Sequence, residues 1–325
     1  MATRIIVTGS EGFVGRQLRA LLVKRGCDVV GVDLPGRGAN IEIDLSDPEF
    51  RADDLAVHVG PLAGIIHLAA RITRGSSVDA DARRNLRAIA EAPVRLVEAW
   101  NQRHGPTHLV FCSTIKVYGH QSRQPIQPTA SPLHPDAYCY GSAKALGERL
   151  LEISGMRSPA SFAIVRPSFV YGPGQPMKTA IPMFLNACLR GENPIVFGDG
   201  RQLRDDVLVS DFAYCMAEAC LRRAQGTFNA ASGQARTLVQ VADLCCRAVE
   251  AIGGPKGLSP VIDESRPAAR WIDQSFDMKR TEQELDFVPA HLLEGLKQEA
   301  RWIRDGADPM SAAAYCIHSS DEDAS

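Results

Sequence analysis

The sequence predicts an α/β fold, a doubly wound parallel sheet carrying a smaller C-terminal α/β lobe. Strand and helix patterns alternate through the first ~170 residues, as they do in βαβ units. The predicted strands are short and apolar on both faces, the mark of parallel strands buried on each side. The run Thr8-Gly9-Ser10-Glu11-Gly12-Phe13-Val14-Gly15 falls where the first strand turns into the first helix.

In chain order, strands are predicted at Arg4–Thr8, Asp28–Val32, Ala63–Leu68, His108–Ser113 and Phe162–Val165. Helices are predicted at Phe13–Arg25, along a long stretch near Ala82–Arg103, and at Tyr140–Ile153. After Pro167 the texture changes: Tyr171-Gly172-Pro173-Gly174-Gln175-Pro176 is rich in breakers and reads as a loop. Ile181–Arg190 is helical and Gly198-Asp199-Gly200 is a turn. Ser210–Arg223 returns as a helix to the main sheet, and Thr237–Ile252 and Leu292–Arg304 are further helices. This divides the chain into a cofactor-binding part over 1–170, with 205–230 returning to it, and a substrate lobe over 171–204 and 231–305. The acidic, small-residue tail over 306–325 is expected to be disordered.

With 325 residues, 45% of them hydrophobic, the chain has ample material for a large core. Its 36 basic and 38 acidic residues nearly balance, with no basic stripe for nucleic acid and no polybasic membrane patch. No apolar run approaches the ~20 residues that span a bilayer. Met1-Ala2-Thr3-Arg4 leads straight into an apolar strand without the pattern of a secretory signal, so a cytoplasmic location is expected. Nine scattered cysteines, without metal spacing, read as small core residues, including the adjacent Cys245-Cys246; no metal is expected.

Gly9, Gly12 and Gly15 allow a tight turn and leave no Cβ in the way of a phosphate. The helix that follows offers free N–H groups and a positive dipole to a pyrophosphate. Spaced as GxxGxxG, the same glycines also serve helix packing; their place directly after a strand favours a dinucleotide. Asp33, at the end of the second strand, suits the two adenosine ribose hydroxyls and repels a 2′-phosphate, which favours NAD over NADP. Arg37, four residues on, weakens that preference. The alternative for Asp33 is a solvated turn residue. Asp44, before Leu45, is placed either against the adenine amino group or as a cap for a helical segment beginning Ser46-Asp47-Pro48.

Tyr140 and Lys144 are four residues apart, on one helix face. A phenol near its reference pKa of ~10 is a poor base at neutral pH. A neighbouring ammonium and the positive ring of an oxidised nicotinamide favour the phenolate, which then takes a proton as hydride leaves the same carbon. Tyr138 is a rival phenol, but Ser142 stands four residues beyond it.

These pieces, in this order, resemble the extended short-chain dehydrogenase/reductases, in the group of NAD-dependent nucleotide-sugar epimerases and dehydratases, on a Rossmann-type fold. The resemblance adds His67-Leu68-Ala69-Ala70, Asn85, Ser113-Thr114-Ile115-Lys116-Val117-Tyr118-Gly119, Arg166-Pro167, Val170-Tyr171-Gly172-Pro173 and Gly198–Asp205, and covers about residues 3–305. It implies that NAD lies along Gly9, Gly12, Phe13, Val14, Gly15, Asp33, Asp44, Leu45, Leu68, Ala69, Ala70, Asn85, Tyr140, Lys144 and Pro167. It implies too that Lys144 holds the nicotinamide ribose and that Thr114 orients the reacting oxygen. Ser113 is the neighbouring hydroxyl, and a cap on the next turn is the other reading of Thr114.

Two departures bear on the reaction. Ile115 and Lys116 stand where sugar-nucleotide dehydratases carry acidic residues, which moves dehydration down. Phe169 stands where many sugar-nucleotide members carry an asparagine facing the diphosphate. The resemblance leaves Arg204 and Arg266 to grip phosphate, an arginine's planar task; the alternative is surface pairing with Asp205 or Glu264. The leading expectation is a nucleotide-sugar 4-epimerase that passes through a keto-sugar and returns hydride to the other face. Next comes a net dehydrogenase or reductase on a sugar nucleotide or another small alcohol, toward which Phe169 moves weight. A non-catalytic NAD sensor comes last, because Thr114, Tyr140 and Lys144 are all present. The helices near Ala82–Arg103 and Tyr140–Ile153 resemble the family's four-helix homodimer interface; their apolar stripes also suit an intramolecular core.

Overall fold

The computed structural model describes residues 3–70, 79–119, 125–130, 139–157, 161–266 and 274–316. The chain begins β1 (Arg4–Thr8), α1 (Phe13–Lys24), β2 (Asp28–Asp33), β3 (Ile41–Glu42), α2 (Ala52–Val59), β4 (Gly64–His67) and α3 (Asp79–Asn85). It continues α4 (Ala92–His104), β5 (His108–Cys112), α5 (Cys139–Arg157), β6 (Ser161–Pro167), β7 (Phe169–Tyr171), α6 (Ala180–Leu189), β8 (Ile195–Phe197), β9 (Leu203–Arg204) and β10 (Asp206–Leu208). It ends α7 (Val209–Leu221), β11 (Gly226–Ala230), β12 (Arg236–Thr237), α8 (Leu238–Ala251), β13 (Val261–Asp263), α9 (Lys279–Leu285) and α10 (Leu292–Arg304).

Seven strands form one sheet in the order β11-β6-β5-β4-β1-β2-β3. All its pairings are parallel. Alternation along β1 shows why its residues read as one apolar run. Ile5 and Val7 pack with Leu18 and Leu22 of α1 and Phe212 of α7 on one face, while Ile6 packs with Ile65, Leu96 and Trp100 on the other. The strand order reverses between β1 and β4, so a crevice opens at the carboxyl ends of the strands there.

The sheet and its helices lie where the sequence predicts them, to within a few residues at the ends. Several elements were not foreseen. β11 carries Gly226 and Asn229, weak strand formers, and is fixed by pairing with β6, Phe228 opposite Val165. The expected rod near Ala82–Arg103 is interrupted by a π-helical stretch at Leu86–Glu91, followed by Pro93 at the start of α4. Proline has no N–H to close the regular turn onto Ile89, which accounts for the wider turn.

No helix begins at Ser46-Asp47-Pro48. Asp44 Oδ1 accepts from the Ser46 N–H at 2.8 Å and the Ser46 hydroxyl at 2.6 Å, closing a local turn, and α2 starts only at Ala52.

Beyond Tyr171 the chain builds a second core from α6, α8 and α10, centred on Tyr171, Leu185, Val241, Leu296 and Trp302. Cys188, Cys245 and Cys246 are buried there, with the Cys188 and Cys246 sulfurs 3.6 Å apart. Its strands occur only as short pairs, β10 with β7, β12 with β9 and β13 with β8.

The tail corrects an expectation of disorder. Over 306–316 it folds back: Trp302 Nε1 donates to the Asp308 carbonyl at 2.9 Å, the Tyr315 hydroxyl to Asp305 at 3.0 Å, and Ala312 is buried against Gly174. An aromatic anchor on a backbone carbonyl and a hydroxyl bond to a carboxylate outweigh its polar composition. Residues 317–325 lie outside the described residues.

Candidate active site

The glycine turn is tight because its glycines touch one another's backbone. A Cβ on Gly15 would lie 2.1 Å from the Gly9 carbonyl oxygen, and one on Gly9, at φ +71, would lie 2.9 Å from the Ala69 nitrogen. Gly12 is the N-cap of α1, with no side-chain cap and no acidic residue in the first turn. The amides around Phe13, Val14 and Gly15 therefore lack a built-in anion, which fits a phosphate.

Asp33, at the tip of β2, accepts the Glu11 N–H on Oδ2 at 2.8 Å and the Leu34 N–H on Oδ1 at 2.8 Å. A carboxylate offers about four acceptor positions, so room for a ribose diol remains. Arg37 is exposed on a loop whose Gly36 and Gly38 amides are held by Glu42 at 2.9 and 2.7 Å; these bonds lower the Glu42 pKa. Asp44 is half-buried and committed on one oxygen to Ser46; Leu45 beside it is core.

Beneath the turn runs a relay that sequence reading did not assign. The Ala69 N–H donates to Thr8 Oγ1 at 3.2 Å, the Thr8 hydroxyl bonds His67 Nδ1 at 2.9 Å, and His67 Nε2 bonds the Ala88 carbonyl at 2.9 Å. A carbonyl partner puts the proton on Nε2, so Thr8 donates to Nδ1. Burial, and then the charge of Lys144, push His67 down to about 3, so it stays neutral. The relay ties the glycine turn to Leu68, Ala69 and Ala70 and to the π-helical stretch that follows the fully buried Asn85.

α5 brings Tyr140 and Lys144 to the crevice. Lys144 is fully buried, its Nζ donating to the Cys112 carbonyl, 4.9 Å from the centre of the Phe111 ring and 5.8 Å from that of Tyr140. Burial lowers the Lys144 pKa, and Cys112 and Glu148 oppose the shift. Burial, reinforced by Cys112, raises the Tyr140 phenol well above its ordinary value. Lys144 thus lies over the phenol's ring, and the protein by itself keeps the phenol protonated. Tyr138 lies outside the described residues.

Ser113 and Thr114, adjacent at the end of β5, have separate partners. Ser113 turns inward and bonds Glu148. Thr114 caps the 3₁₀ turn Ile115–Tyr118, its Oγ1 accepting from the Lys116 N–H at 3.4 Å. The capping reading of Thr114 therefore holds, and because the hydroxyl accepts there, its own proton stays available to a ligand.

Glu148 also binds Arg166 in a buried pair, Nη2 to Oε2 at 2.6 Å and Nε to Oε1 at 2.9 Å. Arg166 lies 4.6 Å over the Tyr118 ring, and the Tyr118 hydroxyl bonds Asn229 Oδ1 at 2.5 Å. Glu148 was readable as the next residue in the i, i+4 series Tyr140, Lys144, Glu148, and Arg166 as a charge in an apolar strand that runs on to the buried Pro167.

The structure departs from the surface-pairing alternative for Arg204. Arg204 pairs with Asp206 at 2.5 Å rather than with Asp205, which instead accepts from the Ser232 amide and hydroxyl at 2.8 and 2.7 Å. Its guanidinium stacks 4.7 Å from the Phe169 ring centre, so Phe169 serves as the platform beneath it. Arg266 is exposed, 5.0 Å over Phe197, and its charge helps lower the Asp263 pKa, after the hydrogen bonds from Ser265.

A glycine turn with uncapped amides, a carboxylate at the second strand tip and a Tyr/Lys pair at the crevice define an NAD-dependent enzyme of the extended short-chain dehydrogenase/reductase type. Residues 5–231 match the model of the NAD dependent epimerase/dehydratase family, and the chain belongs to that family. It is 26% identical over 319 residues to a putative UDP-glucose 4-epimerase of Methanocaldococcus jannaschii, covering 93% of this chain and 98% of that one. The UDP-glucose 4-epimerase of Thermotoga maritima, solved with UDP-glucose, superposes with a TM-score of 0.78 at 26% identity, covering 94% of this chain and 100% of that chain. MoeE5, solved with UDP-glucose and NAD, superposes with a TM-score of 0.75 at 28% identity, covering 94% and 100%.

Proposed function

We propose that the protein is a nucleotide-sugar 4-epimerase acting on a UDP-hexose, with Tyr140, Lys144 and Thr114 as its catalytic residues. The observation that carries this reading is the meeting of α5 and the end of β5, which brings the phenol, the ammonium and a hydroxyl with a free proton to one crevice beside the glycine turn. The UDP-sugars bound by the structural relatives support the substrate class.

Bound NAD supplies a hydride acceptor that gives the hydride back. The α1 amides from Gly12 to Gly15 hold its pyrophosphate and Asp33 its adenosine ribose; Asp44, Leu45, Leu68, Ala69, Ala70, Asn85 and Pro167 line its path. Tyr140 takes the proton of the substrate's secondary hydroxyl and returns it to the ketone. Lys144 supports the phenolate and the nicotinamide ribose. Thr114 donates to the reacting oxygen and fixes its position. The hexose turns over between the two hydride transfers, which inverts one centre with no net redox. Residues 1–170 with 205–230 bind the cofactor, and 171–204 with 231–305 hold the sugar nucleotide through Arg204 and Arg266, with Phe169 of the first part beneath Arg204.

Tyr140→Phe tests this. Turnover of UDP-glucose to its C4 epimer is expected to fall by about 10²–10⁴-fold while bound NAD is retained. Unchanged turnover would remove Tyr140 from the mechanism. A second reading, net oxidation or reduction, is favoured by Phe169 in place of an amide; it predicts NADH formed (oxidation) or consumed (reduction) in step with product, whereas the epimerase shows no net change in NADH.

Exposed Leu146 and Met156 on α5, 42% and 79% accessible, support a homodimer through α4 and α5. Light scattering that gives a monomer at assay concentration would remove it. Among the described residues no helix is long and apolar enough to cross a membrane.

A further inference from the structure

β9 and β12 form an isolated antiparallel pair in which Arg236 stands directly opposite Arg204. Opposed residues of an antiparallel pair share a face of the ribbon, with Cβ atoms about 5 Å apart, and like charges there are unfavourable. Arg204 answers one carboxylate, Asp206, and its Nε is buried without a hydrogen-bond partner. Arg236 is half-buried and braced by neutral groups: Nη1 donates to the Gln234 carbonyl at 2.9 Å and Nη2 to Gln234 Oε1 at 2.7 Å. Among the described residues no carboxylate forms an ion pair with it. The face therefore holds two guanidinium groups against one carboxylate, one group fixed on an aromatic platform and the other fixed by its own strand. Arg236 keeps three N–H groups for a ligand.

We propose that Arg236 is a substrate-binding residue that grips the diphosphate of the sugar nucleotide together with Arg204, across the β9–β12 ribbon. This rests on the nucleotide-sugar reading above. A diphosphate supplies the negative charge the ribbon lacks, and its several oxygens accept from two planar forks at once. Arg266 lies three residues past the end of β13, outside any strand pair, so Arg204 and Arg236 are the arginines that the register itself sets face to face.

The NAD-loaded enzyme, its Arg236→Gln and Arg204→Gln variants, and the ligands UDP and uridine decide the matter by calorimetry. Loss of Arg236 is expected to weaken UDP about tenfold or more, the worth of one charge-assisted pair, while leaving uridine and NAD affinity unchanged. Arg236→Lys is expected to recover part of the loss, because it keeps the charge without the fork. Equal UDP affinity in the wild type and Arg236→Gln, with Arg204→Gln impaired, would overturn the role of Arg236 and leave the nucleotide-sugar reading standing. No UDP binding by the wild type would overturn both.

Discussion

Two regions of this molecule satisfy their buried polar groups to different degrees. Beside the glycine turn, Thr8, His67, Ser113, Glu148 and Arg166 are buried and each is hydrogen-bonded. Among the described residues before Pro167, Arg16 Nε and Ser154 Oγ are exceptions, whereas the region after β6 gathers more: Ser168 Oγ, Gln175 Oε1, Arg204 Nε, Ser210 Oγ and one oxygen each of Asp205 and Asp206 are buried without a partner. Satisfied networks make the first region rigid, as a site that must hold a cofactor in one pose requires. Unsatisfied groups mark the second as the region where a polar ligand, with its water, completes the structure.

The contrast breaks first at Glu148. Two bonds to Arg166 and one from Ser113 converge on its carboxylate, and Glu148→Ala leaves a buried guanidinium without a counter-ion. That loss costs about 3–5 kcal/mol. Denaturant unfolding is expected to show it as a lower midpoint, and an unchanged midpoint would mean that the pair does not hold α5 to β6. The nearest counterpart in the second region is the Arg204–Asp206 pair, whose side chains are 16% and 1% exposed.

Gly15→Ala comes next. Its new methyl would meet backbone of Gly9 and Ser10, which have no side chain to swing aside, so the turn itself must move. About 1–3 kcal/mol of stability and at least tenfold in NAD affinity are expected to be lost together, by calorimetry and thermal unfolding. This residue also shows why the first region was legible. Its strand, turn and helix are consecutive in the chain, and Gly12 and Gly15 answer contacts only a few residues away, while Gly9 meets the distant Ala69. Tyr140 and Lys144 were legible for the same reason. His67, Arg236 and the packed tail were not, because their partners Thr8, Arg204 and Gly174 are distant in sequence and are chosen by strand register and by how the helices stack.

Glu299 sharpens the comparison in the other direction, since removing its charge should help. It is fully buried on α10; burial, then the charge of Asp206, raise its pKa to about 8, and the Gly172 N–H opposes this only in part. Because the folded-state value lies above the unfolded one, the folded chain holds this proton longer. Its destabilising effect is absent below the unfolded value near 4.5, grows as pH rises, and is complete above about 8. Asp211, raised to about 7 by burial, adds to the same slope. Glu299→Gln is expected to raise the melting temperature by about 3 °C at pH 8 and to leave it unchanged at pH 4.5. An equal gain at both pH values would point to packing instead of charge.

The smallest effect expected is at the tail, a segment that touches both regions. Ala312 would contact a methyl placed on Gly174 at 3.1 Å, and the same methyl would lie 3.5 Å from the ring of Phe13, in the first turn of α1. The tail is therefore packed one residue away from the cofactor turn while anchored on α10 through Trp302 and Asp308. Ending the chain at Gly306 removes that anchor and exposes the second core beside Gly174, a loss of about 1 kcal/mol from the hydrogen bond. Phe13 then loses a neighbour that limits its motion, so NAD affinity should weaken a few-fold while the Tyr140 chemistry in the loaded enzyme stays unchanged. Calorimetry with NAD on the shortened chain tests this, and an unaltered affinity would show that the tail braces α10 alone and leaves the two regions independent.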